Sequence, residues 1–142
     1  VSKFMDMDMG KMRRKVLEEG LSAGEKCYAV LEITYNDLMR MKPLIPLMFE
    51  FIGKVNKQPL IQKLIKKYYD IGRGIFSDLI QQGVDSGEFK NVDVWDATNA
   101  LAALYEGMIL VCAVDGDMEN WLHRANAATS IILNGLLNGE KE

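Results

Sequence analysis

The stretch LIQQGVDSGEFKNVDVWDATNALAALYEGMILV, from Leu79 to Val111, holds one helix end, one tight turn and one complete helix start. Gly83 and Gly87 flank Val-Asp-Ser at the close of a long apolar-periodic run. A helix that must stop ends best on a residue able to take φ > 0, and Gly87 stands at that point. Glu88 to Val92 crosses the gap. Asp93 is then a good N-cap, and Asp96 follows in the first turn, where the helix dipole favours negative charge. The helix it opens carries Ala97, Ala100, Leu101, Ala103, Leu104, Gly107, Met108 and Val111, an apolar set that is unusually small. Such punctuation commits the chain to helices joined by short turns.

The helical period recurs along the rest of the chain without convincing strand alternation, so the fold class is all-α, with about six helices. The first, over 3–19, carries Met5, Met9, Met12 and Val16 on one face; Lys11, Arg13, Arg14 and Lys15 form its basic cluster, and Gly20 stops it. Ser22 and Glu25 read as a capping box for the second, over 23–41, which Pro43 ends. The third, over 44–55, has Pro46 in its first turn. Leu47, Met48, Phe49, Phe51 and Ile52 make it apolar nearly all round, with little room for a solvent face. The fourth, over 59–85, bears two stripes, Leu60, Leu64, Tyr68, Ile71, Ile75, Leu79 and Ile61, Ile65, Tyr69, Phe76, Ile80. Two stripes mean burial on more than one side, so this helix is expected to run through the centre. Lys63, Lys66, Lys67, Asp70 and Arg73 read as its solvated strip. Gly72, mid-helix at a cost of up to about 1 kcal/mol against Ala, implies either a close helix crossing or space beside a cavity. The fifth helix spans 94–113, and the sixth 118–137 with Asp117 as N-cap. The tail from Asn138 is expected to fray.

The chain has 142 residues, of which 49% are hydrophobic and 26% charged, enough for one globular domain with a sizeable core. No apolar run approaches the ~20 residues that span a bilayer; the longest, from Ala102 to Val114, is interrupted by Glu106 and Gly107. No signal peptide opens the chain, and its start inside a helical pattern suggests a piece of something longer. Cys27 and Cys112 lie far apart in apolar surroundings, as two buried thiols in a reducing cytoplasm would. A net charge of −3 argues against DNA binding by this domain itself, which would call for a basic excess.

Catalysis has little support. His123 is the single histidine, no serine or cysteine lies in a nucleophile motif, and no phosphate-binding glycine loop or metal spacing occurs. Asp115, Asp117 and Glu119 begin like a calcium loop, but Asn120 stands where its glycine belongs, and helix capping explains them better. No cofactor is expected. The aromatic and methionine supply says more. Tyr35, Met39, Met41, Met48, Phe49, Phe51, Tyr68, Tyr69, Trp95, Tyr105 and Met108 lie on helices two to five. A single such residue is usually core, yet nine methionines in 142 residues suit a surface that accepts varied apolar ligands. The tyrosine hydroxyls could orient a ligand in a mainly apolar pocket. The candidate ligand-binding residues are therefore Tyr35, Met39, Met48, Phe49, Tyr68, Tyr69, Gly72, Trp95, Tyr105 and Met108.

The last two helices carry rows of small residues, Ala97, Ala100, Ala103 and Gly107 on one, Ala125, Ala128 and Gly135 on the other. An isolated hairpin would leave Trp95, Leu104, Met108, Trp121, Leu122 and Ile132 poorly covered. A second copy would cover them in an isologous four-helix dimer; packing within one chain is the other reading. The candidate interface is Ala97, Ala100, Leu104, Gly107, Trp121, Leu122, Ala125, Ala128 and Ile132.

Gly83, Gly87, Glu88, Phe89 and Asp93, followed by Leu104, Gly107 and Met108, resemble the hinge of the ligand-binding domain in the tetracycline-repressor (TetR) family of bacterial transcription regulators. In that family a GxxxGEF-type turn and an aspartate precede a helix ending in an Leu-x-x-Gly-Met pattern. The resemblance covers nearly the whole chain. It implies a C-terminal-domain-like bundle: 1–20 as connector helix, the next helices around a ligand pocket, and the last two forming a homodimer. It also implies a cytoplasmic location, a small apolar or amphipathic ligand, and repression of transcription through an N-terminal helix-turn-helix that nothing before Phe4 can supply. Two other readings stay open: a helical protein–protein interaction or scaffold module in which the aromatics are only core, and a cofactor-independent all-α enzyme using Tyr and Asp groups.

Overall fold

The computed structural model describes residues 9–139. The expectations at Met5 and for the front of the connector lie outside them. Among the described residues six α-helices follow one another: α1 (Met9–Leu17), α2 (Ala23–Arg40), α3 (Ile45–Gly53), α4 (Pro59–Asp85), α5 (Val94–Val114) and α6 (Trp121–Leu136). Short 3-10 turns, Lys42–Leu44 and Met118–Asn120, precede α3 and α6. No strand occurs among these residues; a single antiparallel bridge joins Phe89 to Leu137.

Most helix boundaries follow from local chemistry. Gly20 leaves α1 at φ +89°. The capping box is complete: Glu25 N donates to Ser22 Oγ at 3.0 Å, and Ser22 N to Glu25 Oε1 at 2.8 Å. Asp93 caps α5 by accepting from Asp96 N at 2.9 Å. The start of the last helix differs from expectation. Asp117 makes no side-chain cap; its carboxylate accepts from the Asn120 amide and faces Arg124, and a 3-10 turn intervenes before Trp121.

The turn after α4 gives each residue of its motif a separate job. Gly87 takes φ +80°. Phe89 folds back so that its ring lies on the backbone of Gly83, and its N–H donates to the Gly83 carbonyl at 2.9 Å. Glu88 reaches across the fold and accepts from Ala23 N at 2.8 Å and Gly24 N at 3.0 Å, so the turn caps α2. Lys90 N donates to Leu136 O, and Asn138 N to Glu88 O, which fastens the same turn to the end of α6.

The second half of α4 is central, with Ile75, Phe76, Leu79 and Ile80 buried and α2, α5 and α1 packed around it. The edge of the Tyr105 ring meets Phe76 on one side and Trp121 on the other, at centroid distances of 5.6 and 5.7 Å. Expectation and structure part at the front of α4, where Leu60 is exposed and Ile61, Leu64 and Ile65 are half-buried. α3 has one fully buried residue, Ile45, despite being apolar on every side. α3 and the front of α4 thus form a thinly covered apolar corner.

α1 is held at its C-terminal end. The Lys26 ammonium, buried, donates to Val16 O and to Gln82 Oε1, both at 2.8 Å, while Gln82 Nε2 donates to Val16 O at 2.9 Å. A cation at the last carbonyls of a helix also complements its dipole. α5, meanwhile, is long and apolar enough to cross a membrane by length and composition alone, against the reading that no run approached that length. Its helix extends beyond the run that Glu106 interrupts, and its Leu101, Tyr105, Ile109 and Cys112 are buried in the domain.

Candidate functional site

A cavity of about 300 Å³ lies between α1, α2, α4 and α5. On α4, Tyr68, Tyr69, Gly72, Ile75 and Phe76 recur at helical spacing and face it; on α5, Asn99, Ala102, Ala103 and Glu106 do the same. A Cβ built on Gly72 meets nothing within 4 Å. Of the two readings of that glycine, space beside a cavity holds and the close crossing does not. Met9 and Met12 of α1 and Val30 of α2 complete the apolar wall. The volume sits at the small end of the range for ligand sites, about 300–1,000 Å³.

The polar groups are few and ordered. Tyr68 bonds to Tyr105 through their hydroxyls. Tyr105 donates to Thr34 Oγ1 at 3.0 Å, and Thr34 to the Val30 carbonyl at 2.9 Å. Burial pushes both tyrosines above their ordinary range, so they serve as neutral hydroxyls. Burial also pushes the Glu106 carboxyl up to about 7. Tyr69 is pushed up to about 12, first by burial and then by the Glu106 charge, while Arg73 acts in the opposite sense. Tyr69 therefore senses an acid on one side and a base on the other.

Arg73 stands at the rim. Its Nη2 donates to Asp70 at 2.6 Å, its guanidinium lies 5.9 Å from the Trp95 ring centroid, and its buried Nε has no hydrogen-bond partner. Tyr69 and Arg73 also wall a second cavity of about 390 Å³, which lies against Ile52, Val55 and Asn56 on one side and Gln62, Ile65 and Lys66 on the other.

Of the ten candidate ligand residues, Tyr68, Tyr69, Gly72 and Tyr105 line the first cavity. Trp95 is exposed and meets the site through Arg73. Tyr35 does not belong to it: its hydroxyl donates to the Glu119 carbonyl at 3.0 Å and secures the turn before α6. Met39, Met48, Phe49 and Met108 pack as half-buried residues against the core and line neither cavity. Arg73 had been assigned to a solvated strip, but its helical position, i+4 from Tyr69, turns it to the rim. Glu106, noted only as an interruption of an apolar run, is the acid of the site; a lone carboxylate inside such a run was the available signal. Met9, Met12, Asn99 and Ala102 gave none.

Three candidate interface residues lie inside the protomer and cannot form a surface: Ala97, Ala125 and Trp121 are buried, the last against Tyr105. Leu122 and Ile132 are half-buried against the same core. Ala100 is exposed, and Leu104, Gly107 and Ala128 are partly so. Large exposed apolar residues on these helices are Trp95, Leu110, Val111 and Val114 of α5 and Ile131 of α6. Among the described residues no cluster of three or more His, Cys, Asp or Glu could hold a metal ion. Cys27 and Cys112 are buried and unpaired with each other, and burial pushes the Cys27 thiol up to about 12.

A family model described as "QacR-like protein, C-terminal region" matches residues 14–138. No curated protein and no solved structure matches the chain.

Proposed function

Because the chain belongs to the TetR family, as a C-terminal regulatory domain of the QacR-like kind, we propose that it senses a small amphipathic effector for a cytoplasmic transcriptional repressor. Membership supports a ligand-binding and dimerising regulatory domain at the level of the family. The observation that carries the finer reading is the shared wall of the cavity: Met9 and Met12 of the connector helix lie beside Tyr68, Tyr69 and Glu106 of the sensing helices. An occupant touches both, so it favours one position of α1 over another. A ligand acts on an equilibrium only through such differential contact. DNA affinity would change through a helix-turn-helix joined to α1, and linkage makes DNA change effector affinity by the same factor.

The cavity supports a ligand that is mostly apolar and carries a hydrogen-bonding group. The second copy of the chain would dock on the exposed apolar row of α5 and α6. That row contains Ala100, Leu104, Gly107, Val111 and Val114 at heptad-like spacing, with Ala128 and Ile131 beside it.

Thermal unfolding against a panel of apolar and amphipathic small molecules tests the sensor reading. Binders should raise the midpoint of the wild type, and Gly72→Trp, which fills the cavity, should abolish the shift. A panel without any shift, or one unaffected by Gly72→Trp, would reject this site. Sedimentation tests the dimer: a monomer at tens of micromolar would reject it, and Val111→Glu should dissociate it.

A further inference from the structure

Two cavities meet at Tyr69 and Arg73, one helical turn apart on α4. The first is mainly apolar, with Asn99, Glu106 and the tyrosine hydroxyls as its polar groups beside Arg73. The second opens beside Lys66. At their junction the charges do not cancel. The Asp70 carboxylate accepts from Lys66 at 2.7 Å and from Arg73 at 2.6 Å, so one carboxylate answers two cations. Arg73 is further constrained, with its guanidinium over Trp95 and its Nε–H buried without an acceptor. Planar guanidinium donors match carboxylates especially well.

We propose that Arg73 selects the head group: the effector is an anionic amphiphile whose carboxylate lodges at the junction, with its apolar body in the first cavity. This rests on the sensor reading above and adds the chemistry of the ligand. The orientation follows from the two ends. A carboxylate beside Glu106 would place two acids together in an apolar wall, whereas at Arg73 it meets a guanidinium whose carboxylate partner, Asp70, is shared with Lys66. The apolar body then lies against Met12, Gly72, Ile75, Phe76 and Ala102, where space is already open. Arg73 is thus a specificity-determining residue, and Tyr69, walling both cavities, lies beside the head group.

Three eight-carbon probes separate the possibilities: octanoate and octyltrimethylammonium below their micelle concentrations and octanol below its solubility limit, each titrated into the 142-residue chain by calorimetry. Octanoate should bind the wild type about tenfold more tightly than octanol, the scale of one charge-assisted hydrogen bond. Arg73→Gln should bring the two within about threefold while leaving octanol unchanged, and Arg73→Lys should restore part of the preference. Octanoate, and not octanol, should change the fluorescence of Trp95, read in a Trp121→Phe background. If octanol binds and Arg73→Gln leaves the head-group preference as it was, the assignment to Arg73 is overturned while the sensor reading stands. A tighter grip on octyltrimethylammonium, lost in Glu106→Gln, overturns it in favour of a cation site. If no probe binds, both readings fall.

Discussion

Replacing Gly83 by alanine puts a methyl group where Phe89 already is. A Cβ built on Gly83 lies 2.1 Å from Cδ2 of Phe89, 2.4 Å from Cε2 and 2.8 Å from Cγ, so it meets the face of the ring and not a movable tip. Carbon atoms sit at about 3.5–4.0 Å when unstrained, so the ring must retreat by roughly 1.5 Å. It has nowhere to go within the core, where Phe89 is 2% exposed. Complete loss of a buried phenylalanine costs about 3–5 kcal/mol, and partial expulsion most of that. Alanine returns about 1 kcal/mol through helix propensity. The net expectation for Gly83→Ala is about 2–3 kcal/mol of destabilisation. Urea unfolding followed by helical circular dichroism measures it, and the thermal midpoint should fall on the order of 5–10 °C. The cause is tested by a cycle with Phe89→Leu: the double variant should be markedly more stable than the sum of the single losses. If Gly83→Ala were as stable as wild type, or the cycle additive, the ring-on-glycine account of this turn would be refuted.

Three further outcomes are expected. Glu106 keeps its proton to a pH near 7 in the fold against 4.5 ordinarily, so the folded state holds a proton that the unfolded chain releases between those values. Stability is therefore greatest below the lower value and falls as pH rises to the upper one, by at most about 3 kcal/mol; urea titrations across pH 4–8 should show it, and Glu106→Gln should flatten it. Glu88→Ala strips two acceptors from the N-terminus of α2 and should cost about 2–3 kcal/mol in the same assay, whereas an unchanged midpoint would mean that water replaces the carboxylate freely. Gly72→Ala points its methyl into open space and should stabilise by up to about 1 kcal/mol in thermal unfolding; destabilisation would mean that the helices close on that glycine after all.

What was legible in the sequence was whatever is decided within a few residues. The capping box at Ser22, the cap at Asp93 and the left-handed glycine at Gly87 are local arrangements, and each forms as read. The helical pattern was equally clear because its period repeats over many turns. The cavity was only partly legible. Tyr68, Tyr69 and Gly72 share one face of one helix, so their grouping was accessible, but Met9, Met12 and Glu106 join them only through tertiary packing. Trp121 and Ala125 looked in need of a partner chain, and the ring of Tyr105 and the core around it supply the cover. Conversely, α3 is apolar enough to be read as buried, yet its neighbours leave most of it at the surface. Residue type states a demand for burial and does not say which element meets it.

The clasp of Lys26 and Gln82 on the Val16 carbonyl has a mechanical consequence. Under the proposed sensing role it would make α1 a lever whose fulcrum is its last turn. Met12 and Met9 lie four and seven residues from Val16, or about 6 and 10 Å along the axis. A push of about 1 Å at Met12 would then rotate the helix by roughly 10°, and Met9 would swing by just under 2 Å. The gain depends on the stiffness of the clasp more than on the strength of ligand binding. Lys26→Met would leave the load where it is and soften the fulcrum, so that the same occupant moves the far end less.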